Sequence, residues 1–214
     1  LKYSIPSIRE NSFRKDHKIS IFVDSDEDGT VEWLEANKDI YGIDYFVNPY
    51  LGKTLYGIGK AYDYLIEQST TDVFMVFHAD MIMAKDMDLL TYNHLGPKTA
   101  VCPTRIEPPL HPNLGEKIIQ PFGLYPEEFT KDVFTDFVEN NKDSDKVTDG
   151  IFAPWMMNKD EFLSIGGHDP RMHSCREDSD VFNRLALAGF TSVSYTHLRA
   201  HETLMNLVCR LLLE

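Results

Sequence analysis

Apolar, β-rich runs alternate with helical stripes along the first part of the chain, and this alternation limits what the chain can fold into. Ile19-Ser20-Ile21-Phe22-Val23 is almost wholly apolar, as a strand covered on both faces must be. It ends in Asp24-Ser25-Asp26-Glu27-Asp28-Gly29-Thr30, a turn sequence. Residues 30–37 read as a helix with Val31, Trp33 and Leu34 as apolar contacts, and Tyr45-Phe46-Val47 as a second strand. Residues 52–68 carry Leu55, Ile58, Tyr62, Leu65 and Ile66 on one helical stripe. Val73-Phe74-Met75-Val76-Phe77 is a third strand and runs directly into His78-Ala79-Asp80. Such alternation predicts an α/β fold with a mostly parallel sheet. Ligands of such sheets bind beyond the carboxyl ends of the strands. The acidic turns at Asp24 and Asp80 are therefore expected to share one face.

Farther along, Thr99-Ala100-Val101-Cys102-Pro103 and Phe152-Ala153-Pro154-Trp155-Met156-Met157 read as strands, and 159–165 as a short helix. Residues 104–150 are rich in Pro, Gly and charge, with a helix expected over 126–140; they read as an insertion over the active face. Ser7-Ile8-Arg9-Glu10-Asn11 reads as the end of a helix, with Asn11 near its C-cap. The 214 residues suit one domain, and 43% hydrophobic with 26% charged content suits a soluble globular one. A net charge of −13 without any Lys/Arg-rich run excludes a nucleic-acid-binding surface. An acidic protein that binds an anionic nucleotide needs local help, such as a divalent metal. The three cysteines have no short spacing that would suggest a disulfide framework or a zinc site. No apolar run is long enough to cross a membrane and no signal peptide is visible. A place in the cytoplasm or on the cytoplasmic face of a membrane is expected, although the chain does not begin with Met and targeting stays open.

Gly166-Gly167-His168-Asp169-Pro170 precedes Arg176-Glu177-Asp178-Ser179-Asp180-Val181-Phe182-Asn183-Arg184-Leu185. The acidic side chains at 177, 178 and 180 repel one another. They either cap the helix that follows or serve a cation, a proton or a sugar hydroxyl. The segment resembles the acceptor-side motif of GT-A glycosyltransferases, especially family-2-like and galactosyltransferase-like enzymes. There Gly-Gly-Phe-Asp, a spacer and Glu-Asp-x-Asp lead into a helix ending in Arg-Leu. The resemblance implies a GT-A fold, with Asp178 as general base and Glu177 orienting the acceptor. Asp169 then fixes the loop, Gly166 and Gly167 supply a positive-φ turn, and Arg184 pairs with Asp180 at helical spacing.

The same resemblance extends over most of residues 19–190. The run from Val23 to Thr30 is similar to the family's first nucleotide loop, Val-Asp-Asp-Gly-Ser-x-Asp-Gly-Thr, one residue shorter here. Asp24 or Asp26 is thereby implied to accept the imide N–H of uracil or thymine, while Asp28 reads as a helix cap. His78-Ala79-Asp80 stands in the place of the metal motif Asp-x-Asp. Residues 78 and 80 of a strand point the same way, so both are candidates for Mn²⁺ or Mg²⁺ bridging the donor diphosphate. Imidazole favours Mn²⁺; His78 is either such a ligand or a ribose contact, and Asp80 is the metal carboxylate. Gly52-Lys53-Thr54 looks like the end of a P-loop, but Val47 stands where that motif needs Gly. Lys53 either reaches phosphate or is a solvated lysine. Trp155, Tyr125 and Phe122 are either sugar-stacking platforms or core.

These readings predict a metal-dependent inverting glycosyltransferase that moves a sugar from a nucleotide-diphosphate sugar to a carbohydrate or other hydroxyl acceptor. The alternatives are a nucleotidyltransferase of related fold, whose Gly-rich loop with Arg and Lys is not visible, and an inactive sugar-nucleotide-binding fragment. The family's first strand is not recognisable before Leu1. The end of the chain, from Val193 to Leu213, resembles a translated sequencing adapter; its other reading is an amphipathic helix through Leu204, Leu207, Val208, Leu211 and Leu212. A single GT-A-like domain over 1–191 is expected, followed by a non-native tail over 192–214 with few contacts to the rest.

Overall fold

Every residue of β1 (Ile19–Val23) is buried, as its unbroken apolar run requires. This computed structural model describes residues 1–107, 118–123, 125–141, 143–149, 153–172, 176–199 and 209–213. β1 runs parallel to β2 (Ile43–Val47), with Ile19 opposite Ile43 and Val23 opposite Val47. α2 (Thr30–Tyr41) makes the crossover between them and ends at Gly42, whose left-handed φ of 59° lets its N–H reach the Lys38 carbonyl. α1 (Ser4–Asn11) precedes β1 and buries Ile5 and Ile8 completely.

Arg9 ties α1 to the end of α2. Its guanidinium donates to the carbonyls of Tyr41 (2.6 Å), Gly42 (2.9 Å) and His17 (2.8 Å). A cation at a helix C-terminus satisfies orphan carbonyls and meets the negative end of the macrodipole. Arg9 Nη1 also lies 3.3 Å from His17 Nε2. Guanidinium only donates, so Nε2 is the acceptor and Nδ1 carries the proton, which it donates to the Arg14 carbonyl at 2.7 Å. Burial pushes the His17 pKa below its ordinary 6.5.

α3 (Ile58–Gln68) starts later than the apolar pattern predicts. Residues 48–57 form a loop instead, closed by bonds from Leu51 N to Asn48 O and from Lys53 N to Tyr50 O. Gly52 and Gly57 have φ of 74° and 99°, and Leu55, counted on the buried stripe, is 59% exposed. α3 leads to β3 (Val73–His78), whose interior positions are all buried. After α4 (Met87–Tyr92) comes β4 (Thr99–Glu107), which continues past Pro103 with a register shift against its neighbour there. Pro lacks the N–H that a regular ladder needs. The insertion holds β5 (Ile118–Ile119), a 3₁₀ turn (Pro126–Glu128), α5 (Lys131–Asn141) and β6 (Asp143–Asp149). Then come β7 (Trp155–Asn158), α6 (Lys159–Ser164), α7 (Glu177–Leu187), β8 (Thr191–Arg199) and β9 (Cys209–Leu213).

The strands join in the order β2-β1-β9-β3-β7-β4-β8-β6, with β5 on β4. β1, β2, β3, β4, β5 and β8 point one way, while β6, β7 and β9 run against them. The expected common direction of the α/β strands is present, interleaved with antiparallel neighbours. Trp155, 2% exposed, packs edge-on against Phe74 and Phe182, and Phe122 packs on Phe134 and Phe137. Both are core residues rather than sugar platforms; Tyr125 is 61% exposed.

Residues 192–199 and 209–213 pair with the sheet, where few contacts were expected. β8 carries the chain along β4 from Thr191 opposite Thr99 to Arg199 opposite Arg105. β9 lies between β1 and β3, with Leu213 opposite both Ile19 and Met75. The physical reason is that the facing edges of β1 and β3 present unpaired N–H and C=O groups that any strand can satisfy. Leu204, Leu207 and Val208 lie outside the described residues.

Candidate functional site

A cavity of about 670 Å³ opens where α1, α2 and the turn after β3 converge. It sits at the carboxyl ends of β1 and β3, as the alternation predicts. Asp28, Glu32, Asp80 and Glu127 line it, with Tyr3, Trp33 and Phe129 as aromatic walls. Among the described residues that line it, Lys2 is the one Lys or Arg. Glu127 and Phe129 belong to the insertion, which therefore does reach this face.

Asp80 follows β3 in a turn closed by Met81 N–H on the His78 carbonyl at 3.2 Å. His78 ends the strand half-buried and does not line the cavity. Among the described residues, no three His, Cys, Asp or Glu side chains gather closely enough to cage a metal. Mg²⁺ and Mn²⁺ at phosphate sites need no such cage: one or two protein ligands suffice when phosphate oxygens and waters complete the shell. The residues present fit an ion of that kind, because a cavity edged by four carboxylates repels a diphosphate unless a cation arrives with it.

The three aspartates of the first loop each meet backbone. Asp24 is buried, and its carboxylate accepts from Tyr56 N (2.5 Å), Gly57 N (3.1 Å) and Asn48 Nδ2 (2.9 Å). From the end of β1 it thereby fixes the segment that leads into α3. Asp26 accepts from Val31 N at 2.9 Å, and Asp28 from the N–H and hydroxyl of Thr30 at 3.1 and 2.7 Å. Asp28 is a capping residue, as expected, and Asp26 also caps. Neither Asp24 nor Asp26 lines the cavity. Lys53 is exposed in the 48–57 loop and also lies outside the cavity lining.

On the acceptor side, Gly166 and Gly167 have φ of 85° and 66°, the positive-φ turn that the motif requires. Arg171 donates to both oxygens of Asp169, which holds that carboxyl well below the usual carboxylate range. Glu177 and Asp178 stand in the first turn of α7, where the macrodipole favours anions. Asp178 accepts from Ser179 N at 2.6 Å. One oxygen of Glu177, Oε2, is buried with no hydrogen-bond partner among the described residues. Neither residue lines the cavity that holds Asp80, so the structure does not gather the two acidic motifs around that one cavity. Arg184 pairs with Asp180 at 2.8 Å as expected, and also donates to the carbonyls of Ile165 (2.9 Å) and Gly167 (2.6 Å).

Two residues of this site escape sequence reading, Gly59 and Asp63 of α3. The Asp63 carboxylate accepts from His168 N at 2.9 Å and from His168 Nδ1 at 2.6 Å. A Cβ on Gly59 would stand 2.7 Å from the His168 Cβ. The signal available was Gly59 itself, a glycine on a helical stripe, where close approach by another group is the usual reason.

A profile of "Glycosyl transferase family 2" matches residues 1–165. Comparison with solved structures finds GalNAc-T7, crystallised with UDP, GalNAc and Mn²⁺, at a TM-score of 0.63 and 12% identity. The match covers 93% of this chain and 41% of that protein. At this identity the likeness speaks for the fold. A sequence comparison with curated proteins returned no match.

Proposed function

The chain belongs to glycosyl transferase family 2, and from that premise we propose that it moves a sugar from a nucleotide-diphosphate sugar to a carbohydrate or other hydroxyl acceptor, with inversion at the anomeric carbon. The observation that carries this reading is Asp80, placed at the end of β3 on the wall of a cavity whose acidity calls for a cation. Asp80, on the cavity wall, would hold Mn²⁺ or Mg²⁺. Bound there, the ion would neutralise the diphosphate as it leaves. The UDP, GalNAc and Mn²⁺ found with the structural neighbour support a uridine nucleotide donor.

Asp178 takes the acceptor proton as the hydroxyl oxygen attacks the anomeric carbon and the bond to the diphosphate breaks. A carboxylate is basic enough when proton transfer is late and the electrophile strongly activated. Glu177 accepts a hydrogen bond from the acceptor and orients it. For this role Asp178 must face the cavity when donor and acceptor are bound.

The test is calorimetry of UDP binding with and without Mn²⁺. Asp80→Ala is expected to abolish the Mn²⁺-dependent component. Equal metal-dependent affinity in both proteins would remove the cavity from the donor site.

A further inference from the structure

We propose that Asp63 is a positioning residue for the acceptor-side segment, a role that rests on the reading of Glu177 and Asp178 given above. Asp63 lies in the middle of α3, far in sequence from the segment it holds. Its carboxylate receives both N–H groups of His168, backbone and ring. The ring is 3% exposed in its side chain and lies against Tyr62 and Phe162, with centroids 6.1 and 5.4 Å away. Its seat exists because Gly59, one turn earlier on the same helix, has no side chain. Gly167 is constrained from the same side: a Cβ there would stand 2.7 Å from Asp63 Oδ2.

The clamped turn is gripped from α7 as well. Arg184 donates to the carbonyls on either side of Gly166, and its Nε holds Asp180, two residues along from Asp178. Asp63 therefore acts on α7 through two rigid links, the His168 turn and the Arg184 fork. A charge-assisted bond between a buried ring and a half-buried carboxylate is stronger than a neutral one and fixes direction as well as distance. The segment just before α3 is held by Asp24 through the N–H groups of Tyr56 and Gly57. α3 thus runs from the first acidic loop toward the acceptor-side turn, with Asp24 holding the segment just before it and Asp63 gripping the turn from its middle.

The experiment uses the full chain and two variants, Asp63→Ala and Asp63→Asn. Hydrogen exchange is read over 165–172, 176–184, β1 and β3, with UDP plus Mn²⁺ as the binding probe. UDP-N-acetylgalactosamine with N-acetylgalactosamine serves as the turnover probe. In Asp63→Ala, exchange over 165–172 and 176–184 is expected to rise tenfold or more, while β1, β3 and UDP binding stay within twofold. Asp63→Asn, which keeps one acceptor oxygen, is expected to fall between. Transfer should show an acceptor KM raised about tenfold, with hydrolysis of the donor by water unchanged. Unaltered exchange over 176–184 in Asp63→Ala overturns the proposal. So does a rise spread equally over β1 and β3 in both variants, which would mean general support of the fold. If Asp63→Ala does not fold, Asp63→Asn and Gly59→Ala, which presses on His168 without altering charge, decide by the same exchange pattern. Wild-type protein without UDP binding or transfer would defeat the glycosyltransferase reading and leave the exchange comparison standing.

Discussion

Asp24, Asp26 and Asp28 share one turn, yet each carboxylate meets a different set of N–H groups. Asp26 and Asp28 serve α2, which follows them in sequence, so their capping role is readable from a local pattern. Asp24 serves the loop that leads into α3, and its partners Asn48, Tyr56 and Gly57 come from beyond the next strand. Nothing local distinguishes it from a base-contacting aspartate. Asp24→Ala leaves buried donors unsatisfied and is expected to cost about 3 kcal/mol, against under ~1 kcal/mol for Asp28→Ala. Urea unfolding of both variants measures the difference, and equal midpoints would deny Asp24 its structural role. At Asp178 the expectation is chemical. Asp178→Asn keeps shape and removes the base, so UDP binding persists while transfer falls by roughly 10²-fold or more. Normal transfer by this variant would reduce the acidic turn to a helix cap.

Helices and strands divide by how far their causes reach. β1, β3 and the start of α2 follow from runs of neighbouring residues, and the sequence locates them closely. α3 begins late because a strand-end carboxylate and two positive-φ glycines set its start, which an apolar stripe cannot reveal. The junction of α1 with α2 is similar, since Arg9 finds its carbonyls across a strand and a turn. Arg9→Met retains the stem and loses the bonds, so a loss of about 2 kcal/mol is expected by urea unfolding. His17 adds a pH dependence. Its folded pKa lies below 6.5, so the unfolded chain binds more protons in the window just beneath that value. Stability is therefore full above 6.5 and falls as pH drops through the window toward the lower folded pKa. His17→Gln is expected to flatten that slope between pH 7 and 5; an unchanged slope would assign it to other groups.

For the molecule as a whole, the α/β class and the side of the sheet that carries the cavity were legible, because both follow from alternation alone. The neighbour relations of the sheet were not. β6, β7 and β9 run against the common direction, and their places depend on which edges remain open after the other strands have paired. β9 bridges β1 and β3, so a chain ending at Arg199 exposes two facing edges at the middle of the sheet. Such a truncation is expected to lower the urea midpoint and to promote association, readable by light scattering. Identical unfolding of the truncated and full chains would show that this pairing adds no stability. The exposed loop holding Lys53 has one more consequence. A tryptic nick there would leave β1 and β2 on one fragment and everything from α3 onward on the other. The two halves would remain associated through the β1–β9 ladder and the grip of Asp24 on Tyr56 and Gly57. The same contacts are expected to hold the halves together after the nick, which gel filtration of the nicked protein checks.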